Sequence, residues 1–137
     1  MRAALLALSL LAAPAGAQTL LPPGVDCEAP DSFEVVEMCG QAAFAEADAA
    51  LNETYGLALT QARVLTERLA LEGAPLETPA EEMLRDAQRA WVAFRDAACA
   101  AEATLGGTEA AELVALDCLT RLTARRAADL ELFGTPE

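Results

Sequence analysis

Cys27, Cys39, Cys99 and Cys118 are the residues of this 137-residue chain with the most chemistry open to them. Thiolates ligate metals, carry redox reactions or close disulfides. The spacings x11, x59 and x18 lack the paired C-x2-C knuckles of a four-thiolate zinc site, and no C-x-x-C is present for redox catalysis. Two structural disulfides are therefore expected, and four cysteines allow three pairings. The chain has no His and no Lys, which excludes Ser-His-Asp arrangements, histidine acid/base catalysis and Cys/His metal sites within it. Carboxylates are abundant, but no pair of them stands with a nucleophile or a metal-ligating cluster. Neither an enzyme nor a cofactor- or metal-dependent protein is expected.

The remaining polar residues of interest lie where helical spacing puts them at the edge of a core. Asp48 and Asn52 flank one apolar face, Gln88 and Arg95 a second, and Arg126 and Asp129 a third. A half-buried arginine needs a carboxylate or carbonyl partner, because an unpaired buried charge is costly. Asp48 and Asp129 are the candidates, and a polar network that fixes helix register is the expected outcome. The functional alternative is a ligand or partner site lined by Arg95, Tyr55 and Trp91. Leu51, Tyr55, Trp91 and Phe94 are the expected core anchors.

Three elements must position these residues. Asp31-Ser32-Phe33-Glu34 has the D-x-x-E form of a helix start, and apolar residues recur at helical spacing from Val36 through Leu51 and Tyr55 to Leu69. A helix over about 32–72 follows, with Gly40 and Gly56 as the places for a bend and Gly73-Ala74-Pro75 as its stop. Thr78-Pro79-Ala80-Glu81 reads as a capping box with Thr78 at the N-cap, opening a second helix to about residue 104. On that helix Leu84, Ala87, Phe94, Ala98 and Leu105 fall within about 60 degrees of Trp91, and with it are expected to face inward. Gln88, Arg95 and Cys99 lie on the flank. Gly106-Gly107 turns the chain, Thr108 is the expected cap of a third helix, and Gly134 and Pro136 end it. Its expected inner face includes Ala111, Ala115, Cys118, Leu119, Leu122, Arg126, Asp129 and Phe133.

The predicted fold is all-α, a small antiparallel bundle of about three helices with two disulfides. Antiparallel helices on either side of the glycine turn bring Cys99 level with Cys118, and Cys27 in the lead-in lies close enough to strap to Cys39. The pairing 27–39 with 99–118 is preferred on these grounds. Asn52-Glu53-Thr54 fits the N-x-[ST] pattern, but mid-helix beside a core it is expected to be coincidental.

Residues 1–17 read as a cleavable signal peptide: Arg2, the apolar run Ala3 to Ala13, and Ala15-Gly16-Ala17 before Gln18. Residues 18–30, with Pro22, Pro23, Gly24 and Pro30, form an irregular lead-in, and 31–137 form the domain. A periplasmic or secreted protein with no membrane anchor after cleavage is expected. The processed chain carries eight arginines against twenty-two carboxylates, a formal charge of −14. This argues against nucleic acid as a partner; the plain reading of the charge is solubility, and the sharper one is long-range attraction to a cationic partner.

Cys27, Cys39, Asp48-Ala-Ala-Leu-Asn52-x-x-Tyr55, Ala87-Gln-Arg-Ala-Trp91-x-x-Phe-Arg95-Asp-x-x-Cys99, Gly106-Gly-Thr108, Cys118 and Leu122-Thr-x-x-Arg126-x-x-Asp129-Leu130 together resemble the LprI-type lysozyme-inhibitor domain. Thr108 stands where that family more often has Ser, and Asp129 where it more often has Glu. The resemblance implies a small, helical, disulfide-bonded, exported bacterial domain. It also implies a binding protein whose partner is a cationic lysozyme or another envelope protein. It assigns no inhibitory contact to a particular residue.

Overall fold

The computed structural model describes residues 21–133. The signal segment, its cleavage site after Ala17, and the helix stop at Gly134 and Pro136 lie outside the described residues. Three helices follow one another, α1 (Phe33–Leu71), α2 (Ala80–Ala103) and α3 (Ala111–Glu131), with a single 3-10 turn at Thr104–Gly106 before α3. No strand occurs among the described residues. Ahead of α1, residues 21–32 form turns and bends without helix.

The start of α1 is one residue later than the sequence suggests. Ser32, not Asp31, is the N-cap, and its hydroxyl accepts the Val35 N–H at 3.3 Å. The helix then runs unbroken through Gly40 and Gly56 for 39 residues, about 58 Å at the usual rise. Neither glycine ends it: burial of Ala47, Leu51, Ala58 and Ala62 on one face holds the helix across Gly56, and Gly40 packs against Leu116 of α3. Glu72 caps the C-terminus through its backbone N–H, and Gly73 (φ +81°) takes the left-handed conformation that a helix exit favours.

Neither of the other two expected caps forms. Pro79 occupies the N-cap of α2 and Ala110 that of α3, each without a side-chain cap of its own, so Thr78 and Thr108 do not serve. For α2 the missing acceptor comes from α1: the Thr66 Oγ1 accepts the Ala80 N–H at 2.9 Å. A cap supplied from another helix is invisible to local sequence rules.

The helices run up, down and up. Thr66 meets Glu81, and nearer the other end Asp48 meets Arg95, so α2 runs back along α1. Gly40 lies against Leu116, and the later Leu65 lines the same surface pocket as Phe133, so α3 runs in the direction of α1. The core joins Leu51, Ala58 and Ala62 of α1 to Ala80 and Leu84 of α2 and Ala127 and Leu130 of α3. Tyr55, Leu59, Leu65, Trp91 and Phe133 pack against it half-buried. Small alanines in the seam let the helices approach closely.

Cys27–Cys39 and Cys99–Cys118 are the two disulfides, with Cα atoms 5.7 and 5.4 Å apart. The first straps the lead-in to α1; the second joins α2 to α3 across the turn. Gly106 makes that turn possible, because a Cβ there would lie 2.6 Å from the Ala111 nitrogen.

The inward face of α2 departs most from expectation. Leu84 is buried, but Phe94 is 61% and Leu105 82% exposed, and Ala87 is exposed too. Phe94 is therefore not a core anchor. The helix is rotated so that the flank carrying Gln88, Arg95 and Cys99 turns inward, and the apolar line Met83, Ala87, Ala90, Phe94, Ala101 and Leu105 stays open. The disulfide is the physical reason: Cys99 must reach Cys118, and both are at most 2% exposed. On α3 the same rotation buries Thr123, Ala127 and Leu130 and leaves Asp129 exposed, so Asp129 does not border the core.

Candidate functional site

The polar groups of all three helices meet at Arg95. Its side chain is only 12% exposed, at the middle of α2 where the helix turns inward. Nη1 lies 3.4 Å from the Thr123 hydroxyl oxygen on α3 and 3.9 Å from Asp48 Oδ1 on α1. Nε donates to Asp96 Oδ1 at 2.9 Å, and Nη2 lies 2.8 Å from the same oxygen. The rings of Trp91 and Phe44 lie 5.3 and 5.6 Å from the guanidinium carbon, within cation–π range. Partly removed from water, the guanidinium is balanced by two carboxylates and two aromatic faces, as a buried cation requires.

Two further contacts extend this centre. Asn52 donates from Nδ2 to Asp48 Oδ2 at 3.1 Å, one turn along α1, and so orients the carboxylate toward Arg95. Arg126 Nε donates to Gln88 Oε1 at 3.0 Å across the α2–α3 seam, and its guanidinium carbon lies 5.9 Å from the Trp91 ring. Trp91 is thus flanked by two arginines. Of the six polar residues singled out from sequence, Asp48, Asn52 and Arg95 form one connected group, and Gln88 and Arg126 form a pair beside it. Asp129 is exposed and takes no part in either.

Sequence spacing missed three contributors. Thr123 is fully buried and offers its hydroxyl to Arg95; as a threonine inside a helix it gave no signal of that role. Arg121 pairs with both oxygens of Glu102 at 2.9 and 2.7 Å, a second tie between α2 and α3. Thr66 is the third. Its hydroxyl accepts from Ala80 and has Glu81 Oε2 at 3.0 Å and the Ala62 carbonyl at 3.1 Å as acceptors for its one hydrogen. Glu81, in the first turn of α2, is held below the ordinary glutamate pKa. Its own backbone N–H is the main cause, with the Thr66 hydroxyl and then Arg85 and Arg63 adding to it.

Chemically, the Arg95 centre offers a cation, carboxylates and one hydroxyl. The hydroxyl's neighbour is a cation, not a base, so nothing there activates it as a nucleophile. All four cysteines are paired, and no group of three or more metal-ligating side chains occurs among the described residues. The geometry suits charge neutralisation between helices.

Residues 27–130 match the family described as lysozyme inhibitor LprI, a span that includes both disulfides and every residue of the Arg95 centre. The chain belongs to the LprI family. That family takes its name from inhibition, which is a binding activity. An uncharacterised protein of Rhizobium meliloti (strain 1021) is 38% identical over 136 residues, covering 96% of this chain and 94% of the relative. No solved structure matches. Among LprI-family features on this chain, the disulfides fit an oxidising compartment outside the cytoplasm, and no described helix is long and apolar enough to cross a membrane.

Proposed function

We propose that this LprI-family chain is an exported bacterial binding protein that inhibits lysozyme or a related wall-cleaving glycosidase by docking a surface over its cleft. Membership of the LprI family carries this reading. Residues 1–17 direct export and are removed after Ala17, and residues 31–137 act as the inhibitory domain in the periplasm or outside the cell. The charge of the processed chain, −14, supports a basic partner by raising the rate of encounter. Neither an enzyme activity nor a cofactor belongs to this reading. The Arg95 centre, with Asp48, Asn52 and the Gln88–Arg126 pair beside it, sets the register of the helices that present the docking surface.

A turbidity assay tests the proposal. Purified protein added to a basic lysozyme is expected to slow lysis of cell walls in proportion to its concentration. Undiminished lysis at large molar excess, across several lysozyme classes, refutes it and leaves a non-inhibitory envelope module that binds another protein or a small ligand.

A further inference from the structure

Helix α1 is 39 residues long, against 24 for α2 and 21 for α3, and it carries a second apolar line that no other helix covers. Val36, Ala43, Ala50, Leu57, Val64 and Leu71 recur at intervals of seven residues. All six are exposed: Leu57 61%, Val64 58% and Leu71 89%, with Val36 at 36%. From Ala43 to Val64 each immediately precedes a core-side position, Phe44, Leu51, Ala58 or Leu65, and so points about 100 degrees away from the core. A strict seven-residue line drifts only about 20 degrees per repeat, so it forms one gently winding stripe. Its length is about 50 Å.

Beside the stripe, three residues on from Ala43, Ala50 and Val64, stand Glu46, Glu53 and Glu67. All three are exposed and make no hydrogen bond or ion pair among the described residues. From Phe33 to Ala62 the helix carries Glu34, Glu37, Glu46, Asp48 and Glu53 and no basic residue at all. The open apolar line of α2 differs here. Two of the carboxylates on that helix are already matched, Asp86 by Arg89 and Glu102 by Arg121.

We propose that this outer stripe of α1, edged by its unmatched glutamates, is the surface that docks a cationic protein. The proposal rests on the inhibitor reading only for the choice of lysozyme as that protein. Apolar side chains at the centre with one sign of charge along the rim are the usual anatomy of such a contact, and the opposite charge belongs on the partner. A second copy of the chain fits less well. Two copies joined along the stripe bring together two strongly acidic chains, and like charges oppose association.

Binding to a basic lysozyme by titration calorimetry, measured separately from lysis, tests the assignment. Leu57→Ser with Val64→Ser, and Glu46→Lys with Glu53→Lys and Glu67→Lys, change only exposed side chains, and circular dichroism verifies the fold of each. Each set is expected to weaken binding about 30-fold or more, while Glu72→Lys with Glu77→Lys and Glu82→Lys, and Phe94→Ser on α2, change it less than about threefold. Equal loss from both charge-reversed triples overturns the assignment in favour of net charge alone. Wild-type binding that the α1 variants leave intact overturns it while sparing the inhibitor reading. Binding that depends on α1 without slowing lysis does the reverse. No binding by the wild type, or a dimer that Leu57→Ser converts to monomer, also overturns it.

Discussion

Arg95 and Trp91 sit one turn apart on α2, with the guanidinium carbon 5.3 Å from the centre of the indole ring. This stacking keeps the charged group inside the bundle, where Asp48 of α1 and Thr123 of α3 reach it from the other two helices. Replacing Arg95 by Ala removes the only group that joins all three helices in this network, and is expected to cost about 2 to 4 kcal/mol in urea denaturation. Arg95→Lys keeps the charge but loses the planar fork and the stack, and is expected to cost about half as much. An unchanged midpoint for Arg95→Ala would mean that Arg95 contributes nothing to register.

Phe94 provides the contrast. Although it belongs to the same apolar pattern as Leu84, it is 61% exposed. Phe94→Ser is expected to change stability by less than about 0.5 kcal/mol, whereas Leu51→Ala in the core is expected to cost about 2 to 5 kcal/mol. Thermal or urea midpoints of the two variants measure the difference directly.

Thr66 caps a helix that is not its own. Thr66→Val keeps the shape and removes the acceptor for the Ala80 N–H, and is expected to cost about 1 to 2 kcal/mol. Hydrogen exchange should quicken first at the start of α2, at Ala80 and its neighbours. Exchange that quickens along α1 instead would show that Thr66 serves its own helix.

Glu81 links that same cap to pH. Its pKa is lower folded than unfolded, so the folded state binds fewer protons as pH falls. The resulting stabilisation is fully present above the ordinary glutamate pKa of about 4.3 and is lost as pH drops through the depressed folded value. Glu81→Gln is expected to flatten that part of the acid limb of a stability-versus-pH curve. Thr66→Val should flatten it partly, since the Thr66 hydroxyl is one of the causes of the shift. Equal slopes for wild type and Glu81→Gln would refute the linkage.

The Cys99–Cys118 bridge closes a 19-residue separation between α2 and α3. Replacing both cysteines by Ala is expected to lower stability by about 3 kcal/mol. It also frees α2 to rotate. Fluorescence of Trp91 should then shift, because the bridge is what turns the Arg95 flank inward.

The sequence by itself determined the number and approximate extent of the helices and the family, and it favoured the disulfide pairing that the structure contains. These follow from residues close in the chain: an apolar period of about 3.6, glycines between periods, and cysteines placed level across a short turn. It also marked Arg95, Asp48, Gln88 and Arg126 as polar residues at the edge of a core, because any half-buried charge needs a partner. Only the tertiary structure decided which edge of α2 faces inward. Its apolar line and its Arg95–Cys99 flank are about 100 degrees apart, and periodicity alone favours burying the apolar one. The bridge to Cys118 and the docking of Arg95 between Asp48 and Thr123 outweigh that preference, leaving Phe94 and Leu105 in water. The same holds for the start of α2, where Thr66, distant in sequence, replaces the expected cap at Thr78. Interactions within a helix repeat with its period and can be read from the chain, whereas those between helices depend on rotations that only packing fixes.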